Sequence, residues 1–158
     1  MNRIKLSYLA GAIDSDGTIG IKKNSYHVKI IKDSTQPTYS ERICLKQVTP
    51  QIPNLLKKYF KGYFGITKPQ TVNGKPLFTW QVTDLKAVFA LKSLLPYLQV
   101  KKKQALNCLK LRSIKEKSKK ARVAFGRGHI GSSCRPIRFS KSMEKCLVVA
   151  HLLNKAGI

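Results

Sequence analysis

Leu6, Leu9, Ala10 and Ile13 recur at helical spacing and predict a helix over residues 6–14, which Gly17 stops. The pattern then changes. Over 18–31, Ile19 and Ile21 fall on one side and Gly20, Lys22 and Asn24 on the other, the mixed alternation of a strand. A polar turn over 33–40, containing Pro37, leads to a second strand over 42–48, so the two strands form a hairpin with a long loop. Residues 53–60 return to helical spacing, with Pro53 in the first turn. Strands over 62–67 and 77–82 make a second hairpin joined around Asn73-Gly74. Asp84 is placed to cap a helix over 85–95, which Pro96 ends, and 100–115 forms another. Residues 118–140 are basic, glycine-rich and without period, and read as a loop; 141–156 read as a last helix closed by Gly157.

The resulting order is α-β-β-α-β-β-α-α with a further helix at the end. Each hairpin has one apolar and one polar, basic face, which predicts an α+β fold: one antiparallel sheet covered by helices on one side. The chain of 158 residues suits a single domain, with a core over about 6–115.

Charge narrows the partners. Thirty-one Lys and Arg against seven acids give a formal charge of +24, spread along the whole chain, and call for a polyanion. A membrane is the poorer fit: no apolar run approaches the ~20 residues of a span. The N-terminus predicts no secretory signal. Cys44, Cys108, Cys134 and Cys146 form no close pair, and His27, His129 and His151 stand at no ligand spacing beside them. This argues against zinc and for reduced, packed thiols of an intracellular protein.

On so basic a chain, two of the seven acids, Asp14 and Asp16, sit together at the end of the first helix beside Gly17. An acid on a phosphate-binding surface is explained if it holds a divalent metal. Residues two apart on a helix point in different directions, so one chain offers one well-placed carboxylate. Ser7, Gly11 and Ser15 recur every four positions and form a small-residue stripe. Two copies of that stripe, joined about a two-fold axis, would bring both Asp16 side chains together. Asp14-Ser-Asp-Gly is not a calcium loop, since its Gly is misplaced and position twelve is Ser25. Gly126-Arg-Gly-His-Ile-Gly131 lacks the preceding strand and the Gly-Lys-Ser/Thr ending of a phosphate loop.

Leu9-Ala-Gly-Ala-Ile-Asp-Ser-Asp-Gly17 resembles the motif of the LAGLIDADG homing endonucleases at seven of nine positions. Residues 95–105 are similar to the segment that supplies that family's active-site lysine, and the element order matches too. The resemblance covers about 6–114; Leu152-Leu153-Asn154 is weakly similar to the family's last helix. It implies a sequence-specific endonuclease that makes a staggered double-strand cut in a long DNA target and promotes mobility of its intron or intein. One motif per chain implies a homodimer, with Ser7, Tyr8, Gly11, Ala12 and Ser15 at the interface. It further implies Asp16 as the metal-binding acid, joined by the Ser15 carbonyl, with Asp14 supporting a helix terminus. Lys101, or Lys103 if the register slips, would stabilise phosphate charge or polarise the attacking water. The metal would be Mg²⁺ or Mn²⁺, a hard cation suited to carboxylate, carbonyl and water ligands. The polar residue that usually ends the second strand and positions solvent falls at Thr49 or Gln51, around Pro50.

A β-ribbon fits the DNA major groove. The expected contacts are Lys22 and Asn24 on the first strand, then Arg42 and Lys46, with Gln47 if the second strand bulges. Lys68, Gln70, Thr79 and Gln81 come from the second hairpin. Residues 115–122, Arg127, Arg135 and Arg138 are candidates for backbone contacts or for a solubilising loop. Two other readings compete: an RNA-splicing maturase or DNA-binding protein that kept the scaffold without cutting, and a ribosomal-type RNA-binding protein, which explains the charge but not the motif. The host compartment is an organelle (chloroplast or mitochondrion) or a prokaryotic cytoplasm.

Overall fold

In a computed structural model of the chain, residues 2–24, 37–69, 74–126 and 137–156 are described, residues 121–126 and 137–139 by their backbone alone. Helix α1 (Arg3–Asp16) begins at Asn2, whose side chain accepts the Ile4 amide at 3.2 Å. It stops at Gly17, where a Cβ would lie 2.7 Å from the Ile13 carbonyl oxygen, so the chain turns there only with glycine. Strands β1 (Gly17–Asn24) and β2 (Thr38–Gln47) follow, then α2 (Gln51–Phe60), β3 (Tyr63–Thr67) and β4 (Leu77–Thr83). Helices α3 (Asp84–Leu94), α4 (Lys102–Gly126) and α5 (Ile137–Lys155) complete the chain.

The α+β expectation holds, with a four-stranded antiparallel sheet of order β1-β2-β4-β3. Because side chains alternate along a strand, register assigns the faces. Ile19, Ile21, Tyr39, Ile43, Leu45, Trp80 and Val82 lie on the inner face and are buried beneath the helices with Leu9, Ile13, Leu56 and Leu91. Trp80 satisfies its one donor by giving its indole N–H to the Lys61 carbonyl at 2.7 Å. Thr18, Lys22, Ser40, Arg42, Lys46, Thr79 and Gln81 share the other, polar face. Strand β1 is an edge, and α4 and α5 pack along it: the Cys108 thiol donates to the Gly20 carbonyl at 3.4 Å. Among the described residues, no helix is long and apolar enough to cross a membrane.

Three elements differ from the sequence reading. Strand β2 starts at Thr38, inside the expected turn over 33–40. Its Glu41, an unlikely inner-face residue by polarity, is fully buried because Arg112 and Lys115 on α4 reach its carboxylate at 2.6 and 3.2 Å. Asp84 does not cap α3. Thr83 holds the cap position without a side-chain bond, and the Asp84 carboxylate accepts instead from the Lys115 ammonium at 2.8 Å. Two cations, Lys115 and Arg112, the latter at 3.6 Å, draw the carboxylate away from the first-turn amides. The expected loop over 118–140 is helical at 118–126 and from Ile137 onward. Exposed Lys119 and Lys120 favour helix but leave no apolar period to mark it. The continuation of the first strand over 25–31, the turn at 33–36, Gln70, Asn73, residues 127–136 and Gly157 lie outside the described residues. So do Ser25, His27, Arg127, His129, Cys134 and Arg135, and the side chain of Arg138.

Candidate active site and nucleic-acid interface

The end of α1 is where distant parts of the chain converge. Asp14 turns its carboxylate toward the segment before α4, accepting the amides of Gln99 at 2.7 Å, Val100 at 3.3 Å and Lys101 at 2.9 Å. It is expected to support its own helix end; the carboxylate instead holds the amides that lead into α4. Lys101 answers in the opposite direction. Its ammonium donates to the carbonyls of Ile13 at 2.9 Å, Asp14 at 2.6 Å and Ser15 at 3.3 Å. The Asp14 and Ser15 carbonyls are acceptors that the end of α1 leaves without helical partners, at the negative pole of its dipole, while the Ile13 carbonyl also accepts the Gly17 amide. Lys101 makes these contacts, and Lys103 lies exposed on α4. Burial lowers the Lys101 pKa below its ordinary value, against the smaller opposing pull of Asp14 and Asp16.

Asp16 projects from the same helix end, exposed to solvent. Its carboxylate accepts from the Gln47 side-chain amide at 2.8 Å. Gln47 closes β2 without a bulge, on the helix-side face opposite to Arg42 and Lys46. The polar residue at the strand end is thus Gln47, two positions before Thr49; Thr49 and Gln51 are exposed in the bend and at the start of α2. The Gln47 amide oxygen is buried and has no hydrogen-bond partner. The signal was present in the sequence as the last polar residue before the Val48-Thr49-Pro50 break, but choosing it required the strand's exact end. Among the described residues, no group of three His, Cys, Asp or Glu could hold a metal by itself.

Of the expected DNA contacts, Lys22, Asn24, Arg42, Lys46, Thr79 and Gln81 fall on the polar face, and Lys68 is exposed just after β3. Several are held in place from within. Arg42 donates to the Gln81 side-chain oxygen at 2.7 Å, and the Thr67 and Thr79 hydroxyls lie 3.0 Å apart. Of the expected interface residues, Ser7, Tyr8, Gly11 and Ser15 are exposed on α1 and Ala12 is half-buried. The Ser7 and Ser15 hydroxyls donate to carbonyls of their own helix, Arg3 at 3.1 Å and Ala12 at 3.2 Å. A Cβ on Gly11 would touch nothing within 4 Å.

A helix ending in two acids above a basic antiparallel sheet is the arrangement of the LAGLIDADG homing endonucleases, and this chain has their fold. Among solved structures it is similar to the homing endonuclease I-CvuI in complex with the I-CreI target, at 20% identity over 94% of this chain and 96% of that one, TM-score 0.58. It is also similar to the archaeal intron-encoded homing endonuclease I-Vdi141I complexed with DNA, at 14% identity over 95% and 84%, TM-score 0.66. A third, the LAGLIDADG homing endonuclease I-SmaMI bound to cleaved DNA, matches at 14% identity over 89% of this chain and 42% of that one, TM-score 0.58. No family model matches the chain, and no curated protein does.

Proposed function

We propose that this chain is a sequence-specific DNA endonuclease that acts as a homodimer and makes a staggered double-strand cut by metal-dependent phosphodiester hydrolysis. The observation that carries this reading is Asp16: an exposed carboxylate on a protein of charge +24, held by Gln47 at the rim of the basic sheet face and close to the Lys101 ammonium. Solved structures of this fold include homing endonucleases with DNA, one of them bound to cleaved DNA and one in the presence of 2 mM Mg with its DNA not cleaved.

The donor set fits a hard cation. Asp16 offers a carboxylate oxygen, and the Ser15 carbonyl retains a lone pair beside its contact with Lys101. The unpartnered Gln47 oxygen suits an ordered water at the same place. Such a cation would supply Lewis-acid stabilisation of the phosphate and a more acidic water. The chain's own groups do the rest. Gln47 orients the Asp16 carboxylate, and its amide oxygen accepts a hydrogen bond from the attacking water, lining it up. Lys101 presents positive charge where the phosphorane gathers negative charge.

A second copy completes the site. Ser7, Gly11 and Ser15 form a stripe with satisfied hydroxyls and no obstructing Cβ at Gly11, against which an identical helix can lie. The two Asp16 side chains then meet at the axis, one for each strand of the duplex.

A cleavage selection on a randomised duplex library with Mg²⁺ tests the reading, with Asp16→Asn as control. Expected are discrete cut sites for the wild type, and binding without cutting for the variant. A wild-type protein that binds duplex but never cuts it would indicate a non-cleaving maturase or DNA-binding protein; cutting by the variant would overturn the role of Asp16.

A further inference from the structure

The polar sheet face is bounded by more than strands. Helix α5 is pinned early: the Glu144 carboxylate accepts from Lys23 at 3.0 Å and from the Tyr39 hydroxyl. Asn107 on α4 donates to the Cys146 carbonyl at 2.8 Å. Anchored there, the later turns of α5 flank the polar face. Leu147, Ala150, His151 and Asn154 recur at i, i+3, i+4 and i+7, one stripe of the helix. That whole stripe lines a cavity of about 690 Å³ whose other walls include Lys22, Arg42, Lys46 and Asp16. Gly20 belongs to its floor, and a Cβ there would lie 3.3 Å from the Asn154 side-chain nitrogen. Gly20 leaves room at this point for the Asn154 side chain.

The composition of this cavity is that of a backbone-binding groove. Four cations, Lys22, Lys23, Arg42 and Lys46, line it with an imidazole and an amide from the helix, and both His151 and Asn154 are exposed and able to donate. A phosphodiester backbone passing between them meets charge from the sheet and neutral donors from the helix. We propose that the C-terminal half of α5 is the second wall of the DNA groove, with His151 and Asn154 hydrogen-bonding backbone phosphates of the duplex whose bases face β1 and β2. The inference rests on the DNA-binding reading above and adds an element that sequence patterning left without a role. Contacts to phosphate carry no sequence information, so this wall sets affinity and register while the strands set specificity.

The test is equilibrium binding of the full chain to its selected target and to an unrelated duplex of equal length, by fluorescence anisotropy, for the wild type, His151→Ala, Asn154→Ala and the double variant. The double variant is expected to bind both duplexes about tenfold more weakly, with the ratio between them unchanged. Both side chains are exposed, so its thermal midpoint should match the wild type. Gly20→Leu, which fills the floor of the cavity, should weaken binding in the same uniform way. Wild-type binding to neither duplex would sink the DNA reading itself. Strong wild-type binding with unchanged affinity in the double variant would sink only the role of α5. Tighter binding by the double variant would also overturn it, since α5 would then stand in the way of the duplex.

Discussion

Asp14 and Lys101, 87 positions apart, hold each other by exchange: the Asp14 carboxylate accepts the Lys101 amide at 2.9 Å, and the Lys101 ammonium donates to the Asp14 carbonyl at 2.6 Å. Neither bond is an ion pair between the two side chains. The acid organises the backbone before α4, which aims the lysine, and the lysine closes the end of α1. The Lys101 ammonium is thereby fixed to the same helix end that carries Asp16.

Asp14→Ala leaves the amides of residues 99–101 without their acceptor. The loss of a charged acceptor at a helix entry is expected to cost about 1–2 kcal/mol, read as a lower urea midpoint at unchanged slope. Cleavage should fall further than stability explains, because Lys101 loses its aim. A variant that is destabilised but cuts normally when saturated with Mg²⁺ would separate the two roles and refute the second.

Gln47→Leu removes the hydrogen-bond partner that the Asp16 carboxylate has among the described residues, and the oxygen suited to hold water. The expected result is a cleavage rate at least tenfold lower in single-turnover measurements, with duplex affinity within about twofold of wild type. A large loss of affinity with an unchanged rate would place Gln47 among the DNA contacts instead.

Gly11→Leu separates dimer from monomer stability. No atom lies within 4 Å of an added Cβ, and leucine gains about 1 kcal/mol of helix propensity over glycine. The monomer fold should therefore survive or strengthen while the paired helices are forced apart. Sedimentation velocity should show a monomer where the wild type runs as a dimer; an unchanged profile would remove this helix face from the interface.

Burial raises the Asp84 pKa, but the bonds from Lys115 and Ser40 and the charge of Arg112 outweigh it, so the carboxyl titrates below its ordinary 3.8. A carboxyl lowered in the folded state contributes stability that is full above its unfolded value and lost as pH falls through the folded one. Acid unfolding from about pH 5 downward should accordingly be shallower in Asp84→Asn than in the wild type, followed by circular dichroism. Identical curves would mean the contact with Lys115 contributes no net stability.

The order of helices and strands was legible in the chain because local signals marked it: the apolar spacing ending at Gly17, the alternation of Ile19 and Ile21 with Lys22, the breaks at Pro50 and Pro96. The motif at Leu9–Gly17 and the lysine at 101 were legible for the same reason, being contiguous words. What stayed hidden were relations between words. Glu41 looks like a surface acid until Arg112 and Lys115 arrive from 71 and 74 positions away to compensate its burial. Gln47 looks like one polar residue among several until the end of β2 sets it against Asp16. His151 and Asn154 share one stripe of α5 with Leu147 and Ala150, but only the packing of α5 along the β1 edge turns that stripe toward the basic face. Periodicity encodes which side of an element is apolar; it holds no information on which distant element will supply the opposite charge or the missing donor. Those choices are made by close packing and by the need to pair every buried polar group, and both exist only once the chain has folded.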